Sequence, residues 1–281
     1  MSPIRSVPSS IARPDYVGKR RAKTWKGGDI HSAETIEKIR ISAKIAAQAL
    51  AEVNKHVVPG VTTDELDRIG HEFVLDHGAY PSTLGYPGSA GRPAFPKAIC
   101  TSVNEVICHA IPDSTVIEEG DLVKVDITAF KNGVHGDNCG SVIAGEGAPE
   151  TVALIEATRE ALARGIKAVK PGREVNVIGK VIEAYASRHG YESVQDYTGH
   201  GVGPAFHTGL IIPHYDSAPW HDDVIEPGMV FTIEPMLCAG KQDSYEWDDG
   251  WTVATKDGSW CAQFEHTMVV TESGAEVLTL P

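Results

Sequence analysis

Apolar residues recur every three or four positions in two stretches of the chain, the spacing of one face of an α-helix. The first stretch begins after Ser32, and we expect its helix to end before Pro59-Gly60. The second runs from Glu150 to Val169 and stops at a second Pro-Gly pair, Pro171-Gly172. Each stretch therefore predicts an amphipathic helix that is ended by proline and glycine.

The two stretches belong to a longer repeated pattern. Sixteen residues separate Pro59-Gly60 from His77-Gly78, and sixteen also separate Pro171-Gly172 from His189-Gly190. A further apolar helical face aligns between the two segments. We interpret this as an internal duplication, two helix pairs each followed by strands. The alternative is two unrelated helix pairs that share glycine caps by chance.

A β-hairpin is predicted where the apolar pattern becomes continuous. Residues 122–130 and 134–143 are strand-like and are joined by Asn132-Gly133, which suits a two-residue type I′ turn. In this register Asp137 lies opposite Thr128, and Asp126 lies two residues along the same face. Diagonal neighbours are about 7 Å apart or less, so both carboxylates can reach metal ions spaced about 3.5 to 4 Å.

Three further candidate ligands lie beyond residue 190. His200 is flanked by glycines, Glu234 precedes a proline at the end of an apolar strand, and Glu265 lies on a strand predicted over 262–270. Four buried carboxylates repel one another unless cations hold them. Two divalent ions balance the charge, and oxygen ligands with one imidazole suit Mn²⁺, Fe²⁺, Co²⁺ or Zn²⁺ without choosing among them.

Composition fits one large enzyme core. The 281 residues carry a net charge of -13, which disfavours general binding to DNA or to anionic membranes. Residues 1–30 hold seven basic and two acidic residues, a net +5, and we treat residues 1–31 as an N-terminal extension before a catalytic domain over 32–281. We expect a cytoplasmic protein. The sequence has five cysteines without a CxxC pair, no apolar run long enough for a membrane span and no secretory signal.

Ordered motifs over residues 32–281 resemble the type I methionine aminopeptidases of the M24 family, in particular a bacterial subclass with an N-terminal extension. They are Val125-Asp126-Ile127-Thr128, His135-Gly136-Asp137, Thr198-Gly199-His200, Thr232-Ile233-Glu234-Pro235 and Gln263-Phe264-Glu265, together with Cys108-His109 and Phe206-His207. The resemblance implies an α+β pita-bread fold, in which two pseudo-twofold halves enclose a dinuclear metal site. It also implies removal of the initiator methionine from nascent polypeptides with a small second residue.

The resemblance assigns roles to matching positions. Asp126 chelates one metal, Asp137 and Glu265 bridge both, and His200 with Glu234 holds the other. Thr128 lies behind the metal ligands and donates a hydrogen bond to them. A metal-bridging hydroxide attacks the scissile carbonyl, Glu234 is the general base, His207 steadies the carbonyl oxygen, and His109 contacts the substrate backbone. The methionine pocket is assigned to Thr83, Tyr86, Phe95, Cys100, Phe206 and Trp251.

Three features depart from the family pattern. Residues 87–94 lengthen the pocket rim by about six residues, Asn138 replaces the usual Thr, and Ala110 replaces the usual Gly. The N-terminal extension, residues 1–31, has two possible roles. It either docks on the ribosome through its positive charge or lies across the acidic body of the protein. We expect a monomer, as is usual in the family.

Two other functions remain open from the sequence. A prolidase or X-Pro aminopeptidase has the same five ligands, although such enzymes usually carry an additional N-terminal domain. A binding protein of the same fold that has lost its metals is the alternative from a different class.

Overall fold

The computed structural model describes residues 2–88 and 92–281, in which four helices cover fifteen short strands. The helices are α1 (Ala33–Asn54), α2 (Thr63–Asp76), α3 (Pro149–Ala168) and α4 (Asn176–Arg188). The strands are β1 (Tyr80–Pro81), β2 (Cys100–Val103), β3 (Val106–Cys108), β4 (Leu122–Lys131), β5 (Val134–Ile143), β6 (Glu192–Ser193), β7 (Gly199–His200), β8 (Ile211–Ile212), β9 (Val230–Ile233), β10 (Met236–Cys238), β11 (Ser244–Glu246), β12 (Val253–Thr255), β13 (Cys261–Gln263), β14 (His266–Thr271) and β15 (Gly274–Val277).

Both predicted helices form where the apolar spacing indicated. Ser32 caps α1, since its side-chain oxygen accepts a hydrogen bond from the backbone N–H of Thr35 at 3.2 Å. The helix ends at Asn54, before Pro59-Gly60, as predicted. Helix α3 covers the second stretch and begins at Pro149, a residue suited to the first turn.

The two helix pairs match in backbone detail as well as in sequence. Gly60 and Gly172 have φ values of +91° and +83°, which favour glycine because it has no Cβ. Each glycine donates its N–H to an isoleucine carbonyl at 2.8 Å, Ile117 in the first copy and Ile225 in the second. The duplicated sequence pattern therefore corresponds to two similarly built halves.

The hairpin of β4 and β5 has the predicted register. Thr128 is the partner of Asp137, and the pairing continues from Leu122 with Ile143 to the turn. Asn132 and Gly133 have φ values of +55° and +83°, as a type I′ turn requires. Strands β1 and β2 pair with β4 on its other side, so the hairpin lies inside a four-stranded sheet.

One segment predicted as a single strand is interrupted in the structure, whereas Glu234 follows the end of an apolar strand as predicted. The strand expected over 262–270 divides into β13 and β14, and Phe264 and Glu265 lie between them. Glu234 and Pro235 likewise lie between β9 and β10. Strand β13 pairs with β10, whereas β14 pairs with β9, so the chain changes sheet at each acidic residue.

Helix α1 packs closely on the hairpin next to Asp137. A Cβ on Gly136 would lie 2.2 Å from the backbone nitrogen of Ala43, so only glycine permits this contact. The apolar faces of α1 and α2 cover β4 in one core cluster, and α3 and α4 cover β9 and β14 in a second. The candidate ligands lie between these two cores.

The N-terminal extension lies against the body of the molecule. Tyr16 is buried and donates a hydrogen bond to the Ser82 carbonyl at 2.5 Å. Arg5 contacts the buried Asp67, with Nε 2.9 Å from Oδ2. The extension therefore contributes side chains to the core, although its charged residues between 19 and 26 are exposed.

None of the described helices is both long and apolar enough to cross a membrane. All five cysteines are free thiols in buried positions.

Candidate metal centre and substrate cavity

One cavity of about 380 Å³ brings together almost every residue selected from the sequence. Its lining includes all five candidate ligands and all eight candidate substrate contacts, namely Asp126, Asp137, His200, Glu234, Glu265, Thr83, Tyr86, Phe95, Cys100, His109, Phe206, His207 and Trp251. Thr128 lies behind the wall, where its Oγ1 donates to Asp137 Oδ1 at 2.6 Å. Residues from both halves of the molecule thus converge on one space.

The hairpin places Asp126 and Asp137 in the cavity wall. Asp137 is held at its side chain by Thr128 and at its backbone by Thr267, which accepts from the Asp137 N–H at 3.0 Å and donates to its carbonyl at 2.7 Å. Strand β14 thereby fixes β5 at this position. The Asp137 carboxylate is consequently oriented by residues of both halves.

His200 faces two of the carboxylates. Its Nε2 atom lies 3.7 Å from Asp137 Oδ2 and 3.6 Å from Glu234 Oε1. Its Nδ1 atom lies 3.2 Å from the Gly201 carbonyl oxygen, which accepts a hydrogen bond from Nδ1–H and so leaves the Nε2 lone pair free for a metal ion. Thr232 orients Glu234 by donating to Oε1 at 2.8 Å.

The carboxyl groups are strongly perturbed by their burial. Burial raises the pKa of Asp137 to about 7. Burial, and then repulsion from Asp137, raises the pKa of Glu234 and that of Glu265 well above the usual range. Burial also lowers the pKa of His200 to about 4, so its imidazole is neutral at pH 7.

The donor set fits a divalent cation. Asp137, His200 and Glu265 each offer a ligand atom, and these three atoms lie within 4.8 Å of one another. Glu265 Oε1 is buried and has no hydrogen-bond partner among the described residues. A buried carboxylate oxygen without a donor is costly unless a cation approaches it. Together the four carboxylates and the imidazole provide hard oxygen and borderline nitrogen ligands.

Beside the carboxylates, the cavity has an apolar side. Tyr86 packs edge-on against Phe206 with ring centroids 5.2 Å apart, and Phe95 packs edge-on against Trp251 at 5.3 Å. Burial raises the pKa of the Cys100 thiol well above its usual value, so it is a neutral, soft wall group. These side chains form a slot suited to an unbranched apolar side chain.

Two histidines stand between the carboxylates and this slot. His207 is open to the cavity, and its Nδ1 lies 3.0 Å from the Tyr86 hydroxyl oxygen. His109 has a positive φ of +58° and packs against Tyr197. Burial lowers the pKa of His109 to about 4, so this ring is also neutral at pH 7.

The lining includes five residues that the sequence analysis did not select, Cys108, Asp196, Tyr197, Thr198 and Met236. Each lies within four positions of a selected residue, such as Cys108 before His109 or Met236 after Glu234. Closeness in sequence to a selected residue was the signal that could have identified them. It did not indicate which neighbours face the cavity, because the strands that carry these residues are short and interrupted.

The departures from the family pattern lie at the rim and behind the ligands. Residues 89–91 of the longer rim lie outside the described part of the chain. The adjoining Arg92 contacts Glu246, with Nη1 2.5 Å from Oε2, and Trp251 donates its Nε1 proton to the Pro93 carbonyl at 3.0 Å. The amide oxygen of Asn138 is buried and has no partner among the residues described.

Comparison with known proteins agrees with this geometry. A model of metallopeptidase family M24 matches residues 37–272. Methionine aminopeptidase 2 of Mycobacterium tuberculosis is 57% identical over 279 residues, which cover 99% of this chain and 95% of that protein. A crystal structure of methionine aminopeptidase from Rickettsia prowazekii superposes with a TM-score of 0.85 at 41% identity, covering 89% of this chain and 99% of the other.

A prolidase from Pyrococcus furiosus has the same fold but is a more distant match. Its TM-score is 0.71 at 23% identity, and the match spans only 65% of the prolidase chain. That likeness indicates the pita-bread fold alone. From the family match and the closely similar relatives, this chain belongs to metallopeptidase family M24 and, within it, to the methionine aminopeptidases.

Proposed function

We propose that this chain removes the N-terminal methionine from newly made proteins whose second residue is small. The observation that carries the proposal is one cavity, in which a candidate metal-ligand set adjoins an apolar slot lined by aromatic rings and a thiol. The similarity to methionine aminopeptidases over nearly the whole chain supports the same reaction. The enzyme uses a divalent metal cofactor, as its family does.

We assign two ions, Co, Mn, Fe or Zn, to the five ligands. Asp126 would hold one ion, His200 and Glu234 would hold the other, and Asp137 and Glu265 would contribute ligand atoms to both. When bound, such ions supply Lewis acidity and a water molecule that ionises near neutral pH. Thr128 and Thr232 keep the Asp137 and Glu234 carboxylates oriented toward this site.

Glu234 acts as the general base that takes the proton of the attacking water. Its carboxylate is fixed by Thr232 at Oε1 and by the Gln263 amide, whose Nε2 lies 3.4 Å from Oε2. A base that is held in one orientation needs no rearrangement at the moment of proton transfer. Its position after β9, where the chain changes sheet, aims the side chain into the cavity.

His207 stabilises the developing charge on the scissile carbonyl oxygen. We assign the Tyr86 hydroxyl as the donor to His207 Nδ1, 3.0 Å away, which leaves the proton of the neutral ring on Nε2. Burial, and then the neighbouring His200, lowers the pKa of His207 well below its usual value. The ring therefore donates from Nε2 as a neutral group, and His109 contacts the substrate backbone beside it.

The methionine side chain occupies the slot of Thr83, Tyr86, Phe95, Cys100, Phe206 and Trp251. A thioether on an unbranched chain packs well on aromatic rings and a neutral thiol. The free α-amine binds near the carboxylates, which confines cleavage to chain ends. We expect the second residue to be restricted to Gly, Ala, Ser and similar side chains, as the resemblance to type I methionine aminopeptidases implies.

Peptide hydrolysis tests the reaction and the site together. Metal-stripped protein is reloaded with Co²⁺ or Mn²⁺ and assayed on Met-Ala-Ser and on Ala-Pro-Ser, which contains the Xaa–Pro bond that a prolidase-like enzyme cleaves. We expect release of methionine only, dependent on metal, absent in Asp137→Ala and normal in Asp222→Ala, which changes an exposed aspartate. Cleavage of the proline peptide would favour the prolidase function, and no cleavage with any metal would favour a binding protein.

The cellular setting is also part of the proposal. We place the enzyme in the cytoplasm as a monomer acting on nascent chains, where exposed Lys19, Arg20, Arg21 and Lys26 contact the ribosome. Because Tyr16 and Arg5 anchor the extension, charge reversal at these four residues is a cleaner test than deletion. Unchanged ribosome co-sedimentation of that variant at low salt would refute the docking.

A further inference from the structure

A second crevice, of about 420 Å³, lies between the N-terminal extension and the body. It shares Tyr86, Phe206 and His207 with the main cavity, and residues 13–16 and 22–25 form its outer wall. We propose that this crevice binds the third and later residues of the substrate and favours acidic side chains among them. The inference rests on the proposed aminopeptidase function and adds to it a substrate preference.

The wall shared with the main cavity identifies the occupant. His207 borders both spaces, and the proposed function places the scissile carbonyl at this residue. An extended peptide advances about 3.3 Å per residue, so a few residues beyond the cleaved bond suffice to enter the crevice. The occupant is therefore the substrate chain that leaves the main cavity.

The crevice offers both polar and apolar contacts to a peptide. His135 is buried, and its Nδ1 lies 2.8 Å from the Ser82 hydroxyl oxygen. The His135 ring lines the crevice. Trp25 and Phe130 supply apolar surface on opposite walls. An imidazole ring beside apolar walls offers a peptide both polar and apolar contacts.

Charge determines which side chains the crevice favours. Arg13 and Lys23 line its outer wall with Asp15. Lys23 pairs with Asp15 at 2.9 Å, but both side chains are more than half exposed, so the pair is weak. Arg13 donates to the Val7 carbonyl at 3.0 Å and contacts no carboxylate among the described residues. Residues 31–281 carry a net charge of -18, so the rest of the protein repels an acidic peptide.

Three metal-dependent substrates test the preference. They are the C-terminally amidated peptides Met-Ala-Ser-Asp-Asp-Asp, Met-Ala-Ser-Lys-Lys-Lys and Met-Ala-Ser, the last of which has little chain and no negative charge to place in the crevice. We expect the acidic hexapeptide to have a KM lower than the basic one by about threefold to tenfold, as for one or two exposed ion pairs. The difference should shrink in 0.5 M salt, at which the screening length is only about 4 Å.

Variants connect the preference to the crevice. Arg13→Gln combined with Lys23→Gln should abolish the difference in KM between the hexapeptides and leave Met-Ala-Ser hydrolysis unchanged. Arg13→Lys combined with Lys23→Arg, which retains the charge, should keep it. The matched control is Lys167→Gln with Arg188→Gln, which removes the same charge from α3 and α4 and should also keep it.

The possible outcomes separate this inference from the proposed function. If no methionine peptide is cleaved, the proposed function fails, and this inference fails with it. If Met-Ala-Ser is cleaved but both hexapeptides have the same KM, only the crevice inference is overturned. A preference that survives the double Gln variant, or that disappears equally in the control, also overturns it.

Discussion

Removing the metals should make the protein less stable as the pH rises. Once the ions are removed, burial raises the pKa of Asp137 from 3.8 to about 7. The folded state therefore binds this proton more tightly than the unfolded state does. Between pH 3.8 and about 7 the folded state holds more protons, so its free energy of unfolding falls with rising pH through this window.

The magnitude follows from the size of the pKa change. A rise of about three pKa units at one group corresponds to roughly 4 kcal/mol of lost stability above pH 7. The raised pKa values of Glu234 and Glu265 likewise lower the stability of the metal-free protein as the pH rises. Bound cations remove the loss, because they hold the carboxylates in their ionised form.

Urea unfolding of chelator-treated and Mn²⁺-reloaded protein at pH 5 and pH 8 measures this effect. Asp137→Asn isolates the group, since the amide oxygen still accepts from Thr128 but does not ionise. At pH 8 the metal-free variant should be more stable than the metal-free wild type, although it is inactive. Asp222→Asn is the exposed control, which should not change stability.

A specific result would refute this reasoning. If metal-free wild type is as stable at pH 8 as at pH 5, and Asp137→Asn adds nothing at pH 8, the carboxylates do not repel one another in a desolvated site. The ligand assignment would then lose its electrostatic basis.

Three other substitutions have defined outcomes. Gly136→Ala should destabilise the fold by about 3 kcal/mol or more in thermal or urea unfolding, because its Cβ meets the α1 backbone at 2.2 Å; a normal melting temperature would contradict that contact. Tyr86→Phe should lower kcat about tenfold without loss of folding, since it removes the donor that fixes the His207 tautomer; unchanged kinetics would rule out that role. Arg5→Ala should cost about 1 to 3 kcal/mol by leaving the buried Asp67 with a weaker partner, which a denaturant midpoint equal to wild type would disprove.

The sequence predicted most where the pattern was local. The hairpin register followed from Asn132-Gly133 alone, because a two-residue turn fixes every pair in the two strands. It therefore placed Asp126 and Asp137 on one wall of the cavity correctly. The five candidate ligands and eight candidate substrate contacts also line one cavity, as the motifs indicated.

Features that depend on distant contacts were not predictable in the same way. The strand expected over 262–270 breaks at Phe264 and Glu265 because its two parts pair with different partners, β10 and β9. An alternating apolar pattern contains no record of such a change of sheet. Burial of Tyr16 likewise depends on a hydrogen bond to Ser82, sixty-six residues away.

The matched helix pairs have a consequence for how the protein can be divided. Residues up to Gly145 carry Asp126 and Asp137, whereas the rest carries His200, Glu234 and Glu265, so each half brings an incomplete ligand set. Strands β5 and β14 hold the halves together through Asp137 and Thr267. Fragments cut at the exposed turn before α3 should separately lack tight metal binding and recover it when mixed, as complementing fragments do.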